Sequence, residues 1–166
     1  HCLSSAASDV YKRQATTRPE TLLGDMAIAV HPDDKRYKEY IGKDVELPLC
    51  NRKIPIIADD YVDMEFGSGA VKITPGHDFN DYEIGKRHGL SMDSKNNIIQ
   101  GDESSFEPIS VLDKHAKICG CAPKNFHELN RFEARKKILA NLESEDLIAG
   151  IEAVSYTHLR AHETVS

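Results

Sequence analysis

Residues 69–88 read GAVKITPGHDFNDYEIGKRH, and this stretch decides the fold around which the rest of the chain is arranged. Residues 70–74 alternate apolar and polar side chains, which predicts a β-strand. A Pro-Gly pair at 75–76 halts that strand. Residues 78–88 predict a helix, with Gly89 as its C-terminal stop. The stretch therefore predicts a strand, a tight turn and a helix in direct succession.

Four polar side chains of this stretch are predicted to meet where the strand ends and the helix begins. Lys72 and Thr74 lie on one face of the strand, because side chains alternate along it. Asp78 and Asp81 are three residues apart at the helix start, so their carboxylates share one side. The turn then brings together one cation, one hydroxyl and two acceptors. Such a pocket suits a ligand that has an ammonium group and a hydroxyl.

Each of these residues also has a purely structural interpretation. Asp78 is well placed to cap the helix with Asp81 as its N3 partner, and neither role needs a ligand. Lys72 could be a solvated strand residue. His77 is a candidate general base, although a histidine beside a helix cap more often orients the backbone. Spacing alone leaves both interpretations open.

Toward the N-terminus, short apolar runs separated by turn residues predict further strands. Residues 27–30 (AIAV) predict a buried strand, and residues 35–41 a short helix. Residues 45–49 and 54–58 predict two strands joined by a hairpin turn at 50–53. Each of the two contains a proline, which favours edge positions or bulges over the centre of a sheet.

Residues 15–21 (ATTRPET) form a second polar cluster. The adjacent Thr16 and Thr17 and the guanidinium of Arg18 could contact a phosphate or a carbonyl. The alternative is an ordinary loop entry, with Pro19 in the first turn of a helix and Glu20 favouring its N-terminal end. Taken alone, this motif predicts no particular ligand.

Toward the C-terminus, residues 91–128 are poorly patterned and predict mostly loop. Asn130 and Glu133 have the spacing of a capping box, and residues 150–151 begin a last strand. The capped helix would run to about Leu147 and bury a face formed by Phe132, Leu139 and Leu142. Short strands interrupted by a few helices predict an α+β fold, a distorted antiparallel β-barrel with peripheral helices.

The composition excludes several functional classes. A formal net charge of −6 argues against a protein that holds nucleic acid by itself, because Lys and Arg supply most of that affinity. Only one residue separates Cys119 from Cys121, unlike a usual zinc half-site. We therefore expect no metal, and free thiols in a reducing, cytoplasmic compartment. No apolar run approaches the ~20 residues that span a bilayer, so no membrane partner is expected.

The two ends of the chain differ from its middle. Residues 1–14 (HCLSSAASDVYKRQ) and 154–166 (VSYTHLRAHETVS) resemble translated adapter or vector sequence. We expect the native domain to occupy residues 15–153 and to be incomplete at both edges. The alternative is a pair of disordered native termini.

Six segments share their order and spacing with one known family. They are 15–21 (ATTRPET), 27–34 (AIAVHPDD), 54–59 (IPIIAD), 61–67 (YVDMEFG), 69–88 and 131–135 (RFEAR). Together they resemble the editing (CP1) domain of class I valyl-tRNA synthetases, and the similarity covers 15–90 and 129–152. The residues of the segments AIAVHPDD and VKITP resemble those of the valyl enzyme more than those of the related isoleucyl and leucyl enzymes.

The resemblance implies a distorted β-barrel inserted into a synthetase. It also implies post-transfer editing, the hydrolysis of mischarged Thr-tRNA(Val). Asp81 matches the acidic residue that holds the substrate's ammonium in related editing sites. The catalytic residues implied are Asp78, Asp81 and Lys72, and the substrate-binding residues are Thr16, Thr17, Arg18 and Thr74.

The implied partners are the 3′ end of tRNA(Val), its aminoacyl ester and the remainder of the synthetase chain. A positioned water is expected to attack the ester directly, without a cofactor, since ATP and Mg serve the synthetic domain. Two alternatives stay open. One is the editing domain of a related isoleucyl or leucyl enzyme, and the other is a non-catalytic insertion that only contacts tRNA.

Overall fold

A four-stranded mixed sheet supports the strand, turn and helix of residues 69–88. The computed structural model describes residues 2–7, 10–15, 18–118, 120, 122–145 and 148–150. In chain order the elements are β1 (Cys2–Ala7), β2 (Val10–Ala15), a 3₁₀ helix (Pro19–Gly24), β3 (Ala27–Val30), a 3₁₀ turn (Lys38–Tyr40), β4 (Asp44–Leu47), β5 (Arg52–Ala58), β6 (Ala70–Ile73), α1 (Phe79–Arg87), β7 (Ser91–Met92), β8 (Ile98–Ile99), 3₁₀ turns (Glu103–Ser105 and Lys124–Phe126), α2 (Arg131–Ser144) and β9 (Ile148–Gly150).

The four strands of the mixed sheet follow the order β4–β5–β3–β6. β3 is antiparallel to β6, with Ile28 opposite Lys72, and parallel to β5, with Ile28 opposite Ile56. β4 and β5 form the predicted antiparallel hairpin. All four residues of β3 are buried, as expected for an apolar strand covered on both faces. β6 is the edge strand of this sheet, and the turn into α1 follows it directly.

The predicted antiparallel arrangement is wrong where β3 and β5 pair in parallel. The chain leaves β3, turns through residues 31–43 and returns along β4, so β5 runs in the same direction as β3. The described strands form three sheets, which are β2–β1–β9, the mixed sheet and β7–β8. No closed barrel is found among the described strands, so the barrel stays a prediction. The mixed sheet with few helices agrees with the α+β class.

Pro55 lies in an interior strand, whereas the sequence favoured an edge position or a bulge over the centre of a sheet. On the β4 side, the N–H of Ile56 donates to Lys43 O, and Ile56 O accepts from the N–H of Gly42. The nitrogen of Pro55 therefore faces β3. The β3 ladder begins only at Ile56, opposite Ile28. The missing N–H thus removes no ladder hydrogen bond, which is why the proline is tolerated.

Both α-helices begin where the sequence predicts. Asp78 caps α1 by accepting a hydrogen bond from the N–H of Asp81, and Gly89 follows the helix with a φ of 57°. Asn130 and Glu133 form the predicted capping box of α2. The helix predicted over residues 35–41 is wrong in extent, because only one 3₁₀ turn forms there.

α2 buries only part of the predicted face, because Leu142 enters the core as predicted but Phe132 and Leu139 do not. Phe132 is exposed, and the guanidinium of Arg131 lies 4.8 Å from its ring centroid. Leu139 is only half-buried. The side chains that enter the core are spaced four residues apart: Ala134, Ile138 and Leu142. α2 ends at Ser144, and the predicted end at Leu147 lies outside the described residues.

Residues 91–128 contain little regular structure, as predicted, yet they close one side of the core. They form the short β7–β8 hairpin and two 3₁₀ turns. Their buried side chains include Ile98, Ile109, Val111, Ile118 and Phe126. At the N-terminus, residues 2–7 and 10–15 pair as a hairpin, although they lie in the flank predicted to be non-native. The domain boundaries stay a prediction.

The position of α1 is fixed at both ends by carboxylates, of which Asp59 is buried and Asp81 half-buried. At its C-terminal end, the Asp59 carboxylate accepts hydrogen bonds from Arg87 Nη2 at 3.0 Å and lies 2.9 Å from His88 Nε2. At its N-terminal end, Asp81 Oδ2 accepts from the N–H of Thr74 at 3.0 Å. α1 is thereby held against the end of β6, where the predicted polar side chains lie.

Candidate active site

The four residues predicted to meet at the strand end and helix start do lie together. Thr74 is 2% exposed, and its N–H bonds to Asp81 as described above. Asp78 Oδ1 accepts the N–H of Asp81 at 3.0 Å. Lys72 Nζ donates to Thr74 Oγ1 at 3.1 Å. The structure thus places one ammonium, one hydroxyl and two carboxylates in one continuous polar cluster, as the sequence predicts; their catalytic roles stay predictions.

A fifth residue, Asp25, completes this cluster and was not predicted. Its side chain is 1% exposed. Asp25 Oδ1 accepts the hydroxyl proton of Thr74 at 2.6 Å and lies 3.5 Å from Lys72 Nζ. Asp25 follows the Pro19–Gly24 3₁₀ helix and precedes β3. A carboxylate immediately before a wholly apolar strand was the signal that sequence reasoning could have used.

Thr21 is the second residue that sequence reasoning did not assign to this cluster. Its hydroxyl donates to Arg18 O at 2.8 Å, and its Oγ1 lies 3.3 Å from Lys72 Nζ. Lys72 Nζ therefore contacts three internal acceptors: Thr21, Thr74 and Asp25. Because an ammonium has three N–H donors, all of them are matched by this set.

Both threonine hydroxyls of the cluster are consequently oriented in one direction. Thr74 gives its proton to Asp25, and Thr21 gives its proton to Arg18 O. Each oxygen then has acceptor capacity only, and one lone pair of each faces Lys72. Their remaining lone pairs can accept a hydrogen bond from a ligand's hydroxyl or ammonium. One ligand hydroxyl has one proton and can donate to one of these lone pairs, whereas a methyl group in the same place can donate to none.

Burial shifts the pKa of both carboxyls that lie deepest in the cluster. Desolvation raises the pKa of Asp25, against the lowering effect of Lys72 and the Thr74 hydroxyl. Desolvation also raises the pKa of Asp81 to about 6, with repulsion from Asp78 adding to it and the Thr74 N–H opposing it. Asp81 Oδ1 accepts no hydrogen bond from the part of the chain that the structure describes. Asp81 is therefore a partly buried carboxyl with one oxygen, Oδ1, open to a further hydrogen-bond donor.

His77 orients the backbone and does not face the cluster as a free base. Its Nε2 accepts the N–H of Val111 at 3.2 Å, which requires the neutral ring with its proton on Nδ1. Burial, followed by Arg18 and Lys72, lowers the pKa of His77. Gly76 permits this approach, because a Cβ there would lie 2.1 Å from Ile109 O. Of the two interpretations of His77, the structure favours the backbone role.

The predicted substrate-binding residues at 16–18 are described only in part. Thr16 and Thr17 lie outside the described residues. The Arg18 side chain is 48% exposed, and its Nε lies 3.8 Å from Glu20 Oε1. Pro19 begins a 3₁₀ helix, as its position predicts. The main chain of Arg18 borders the cluster, because its carbonyl oxygen accepts the Thr21 hydroxyl.

The described residues contain no group of three His, Cys, Asp or Glu side chains that could hold a metal ion. Cys119 and Cys121 lie outside them, and the absence of a metal site stays a prediction. Burial raises the pKa of the free Cys50 thiol to about 12.

None of the helices in the described ranges is long and apolar enough to cross a membrane.

Comparison with known proteins identifies the family. Residues 33–143, more than half of the chain, match the sequence model of the family described as leucyl-tRNA synthetase, editing domain. The chain belongs to this family of editing domains. The polar cluster described above therefore lies in a domain type that aminoacyl-tRNA synthetases use for editing.

Relatives with high sequence identity are valine–tRNA ligases. The chain is 54% identical over 138 residues to that of Legionella pneumophila strain Lens, covering 83% of this chain and 13% of the relative. It is 54% identical over 130 residues to that of Dechloromonas aromatica strain RCB, covering 78% of this chain and 12% of the relative. The chain thus spans about 13% of the length of the curated relatives it matches.

A solved structure supports the fold alone. The crystal structure of GlLeuRS-CP1 superposes with a TM-score of 0.59 at 14% sequence identity, covering 87% of this chain and 84% of that chain. At so low an identity the likeness concerns the arrangement of strands and helices. It supports the editing-domain architecture and leaves the amino acid that is edited undetermined.

Proposed function

We propose that this editing domain hydrolyses the ester of Thr-tRNA(Val) within a valyl-tRNA synthetase. Two observations support the proposal. The relatives with 54% identity are valine–tRNA ligases, and the polar cluster places threonine oxygens with acceptor capacity beside the Asp81 carboxylate. The observation that carries it is the 2.6 Å hydrogen bond from Thr74 to Asp25, which turns the threonine oxygen into an acceptor.

The need for such a site follows from the near-identical shapes of valine and threonine. An apolar synthetic pocket rejects threonine by only ~10²-fold, a value for which this enzyme class is the standard example. A second, polar site can instead bind the hydroxyl of threonine through a hydrogen bond that valine cannot make. Valine in that site could not donate the one hydrogen bond that the threonine hydroxyl gives to a remaining lone pair of Thr74 or Thr21, at a cost of ~1–3 kcal/mol.

Asp81 is the residue that we assign to the substrate's α-ammonium. Its Oδ2 is fixed by the Thr74 N–H, while Oδ1 has no partner among the described residues. Asp78 is exposed, and its Oδ1 caps the helix by accepting the N–H of Asp81. We therefore assign Asp78 the supporting role of orienting α1. With hydroxyl and ammonium both held, the ester carbonyl is fixed relative to the cluster.

Hydrolysis then requires one water and no covalent enzyme intermediate. The water oxygen attacks the ester carbonyl carbon, the bond to the ribose oxygen breaks, and that oxygen takes up the proton that the attacking water loses, which gives free threonine and tRNA(Val). Orientation of the two reactants can supply a large share of the rate, because effective molarities of well-positioned groups are high. Lys72, with its charge near the ester, stabilises the negative charge that develops on the carbonyl oxygen.

Two substrates distinguish the valyl assignment from its rivals. We expect the full-length synthetase that contains this domain to deacylate Thr-tRNA(Val) at least about 10-fold faster than Val-tRNA(Ile). Initial rates with both charged tRNAs measure this ratio. Preference for Val-tRNA(Ile) would indicate a related isoleucyl-type domain, and no deacylation of either would indicate a non-catalytic insertion.

The pH dependence of deacylation should report Asp81. Because the pKa of Asp81 is about 6 and only the ionised carboxylate binds an ammonium well, kcat/KM should rise with pH and reach half of its plateau near that value. Rates from about pH 5 to 8, corrected for spontaneous ester hydrolysis, give the profile. Asp81→Asn should lose this inflection, and a wild-type profile that is flat across it would refute the ammonium assignment.

A further inference from the structure

The short 3₁₀ helix Pro19–Gly24 carries one side of the polar cluster. Thr21, within this helix, places its Oγ1 3.3 Å from Lys72 Nζ. Asp25, which follows the helix directly, accepts the hydroxyl proton of Thr74. A 3₁₀ helix has poorer hydrogen-bond geometry than an α-helix, so its orientation depends on contacts with other elements. Those contacts therefore decide whether the Thr21 hydroxyl faces Lys72.

Arginine side chains from two other elements hold the two ends of this helix. At the N-terminal end, Arg135 of α2 donates to both carboxylate oxygens of Glu20, from Nε at 3.0 Å and from Nη2 at 3.1 Å. At the C-terminal end, Arg52 of β5 donates from Nη1 to Leu23 O at 2.9 Å. Glu20 and Arg52 are both buried, so water does not compete strongly for these bonds. The 3₁₀ helix is thereby connected to α2 and to the mixed sheet.

The contact between Arg135 and Glu20 is directional, whereas the packing of the helix is not. All six residues of the 3₁₀ helix are buried, but the burial of apolar surface favours no particular rotation. A bidentate pair of guanidinium and carboxylate fixes both the distance and the plane of the two groups. Glu20 immediately precedes Thr21, so a rotation that moves Glu20 also moves the Thr21 hydroxyl away from Lys72.

We propose that Arg135 is a positioning residue of the editing site, which acts through Glu20 to hold the Thr21 hydroxyl against Lys72. The proposal rests on the proposed function, because the property that it explains is the discrimination of a threonyl ester from a valyl ester. The Thr21 oxygen has acceptor capacity only, since its proton goes to Arg18 O. Without the Arg135 contact, the cluster loses one of the two threonine oxygens that can accept the substrate's hydroxyl.

The ratio of kcat/KM for Thr-tRNA(Val) to kcat/KM for Val-tRNA(Val) tests this role. A merely structural effect lowers the amount of active enzyme, which reduces both values by the same factor and leaves the ratio unchanged. In the full-length synthetase, Arg135→Met should lower the ratio by about 2- to 10-fold, the equivalent of one neutral hydrogen bond. Lys136→Met, at the exposed neighbouring position of α2, removes the same charge and should leave the ratio unaltered.

A second substitution shows whether the effect passes through Thr21. Valine keeps the shape of threonine and lacks the hydroxyl, so Thr21→Val should lower the ratio by a similar factor. In the Thr21→Val background, Arg135→Met should then change the ratio by less than about 2-fold, because the group that it positions is already absent. Equal effects of Arg135→Met with and without the Thr21 hydroxyl would overturn the positioning role.

Glu20→Gln covers the outcome in which Arg135→Met fails to fold because the Glu20 charge is left buried and unpaired. The amide of the variant carries no charge and can accept from Arg135 through one oxygen only, so the ratio should again fall by about 2-fold or more. An unchanged ratio in both variants would overturn the role of Arg135 and leave the proposed function intact. A wild-type ratio near 1 would overturn both.

Discussion

Replacing Asp81 with asparagine should lower the rate of Thr-tRNA(Val) deacylation by about 10- to 150-fold. This range corresponds to the loss of one hydrogen bond to a charged group, about 1.5–3 kcal/mol. The amide oxygen of the introduced side chain can still accept the Thr74 N–H, so the turn from β6 into α1 is retained. Single-turnover deacylation rates of the full-length synthetase measure the loss. Asp44→Asn, on the exposed edge of β4, makes the same chemical change away from the cluster and should leave the rate unaltered.

The same substitution should leave the domain as stable as before or more stable. The folded-state pKa of Asp81, about 6, lies above its ordinary value of 3.8. The stability associated with this group is therefore complete below pH 3.8 and is lost as the pH rises through about 6. Asparagine cannot ionise, so the variant does not lose this stability as the pH rises. Asp81→Asn should therefore add roughly 1–2 kcal/mol to the free energy of unfolding at neutral pH, after allowance for solvent screening. A large loss of stability would instead show that Asp81 serves the fold.

Replacing Asp25 with alanine should have the largest effect on stability, a loss of about 3 kcal/mol. Removal of the carboxylate leaves Lys72, which is only 18% exposed, without its ion-pair partner and leaves the Thr74 hydroxyl without its acceptor. Because Lys72 retains some access to water, we expect the low end of the range for broken buried pairs. Urea unfolding of the wild type and variant measures the difference.

A double-mutant cycle separates the Asp25–Lys72 interaction from simple loss of packing. Asp25→Ala, Lys72→Met and their combination should show a favourable coupling of about 1–3 kcal/mol between the two residues. Asp33→Ala, where the carboxylate is 84% exposed, is the control and should change stability by less than about 0.5 kcal/mol. Additive losses in the cycle would contradict the assignment of Asp25 to the polar cluster.

Local patterns in the sequence predicted the strand, turn and helix of residues 69–88, because each of their features depends on near neighbours. Alternation placed Lys72 and Thr74 on one face, and the spacing of Asp78 and Asp81 predicted a capped helix. The structure confirms both. It also confirms the capping box of α2, which likewise involves only residues within one turn.

The missed features depend on contacts between residues that are distant in the sequence. Asp25 and Thr74 are 49 residues apart, and Glu20 and Arg135 are 115 apart. A short apolar run identifies β3 and β5 as strands but gives no direction for their pairing, so their parallel arrangement was not predictable. In α2, the large Phe132 suggested the buried face, whereas the smaller Ala134 packs into the core.

The central claim is that the cluster formed by Asp25, Lys72, Thr74 and Asp81 recognises the hydroxyl of a threonyl ester. Deacylation of Thr-tRNA(Val) and Val-tRNA(Val) by the same synthetase tests it most directly, because the two substrates differ only in one hydroxyl and one methyl group. Because valine lacks the one hydroxyl proton that the cluster accepts, kcat/KM should be higher for the threonyl ester by at least about 10-fold. Equal values for the two esters would contradict the claim, since the cluster would then not distinguish an alcohol from a methyl group.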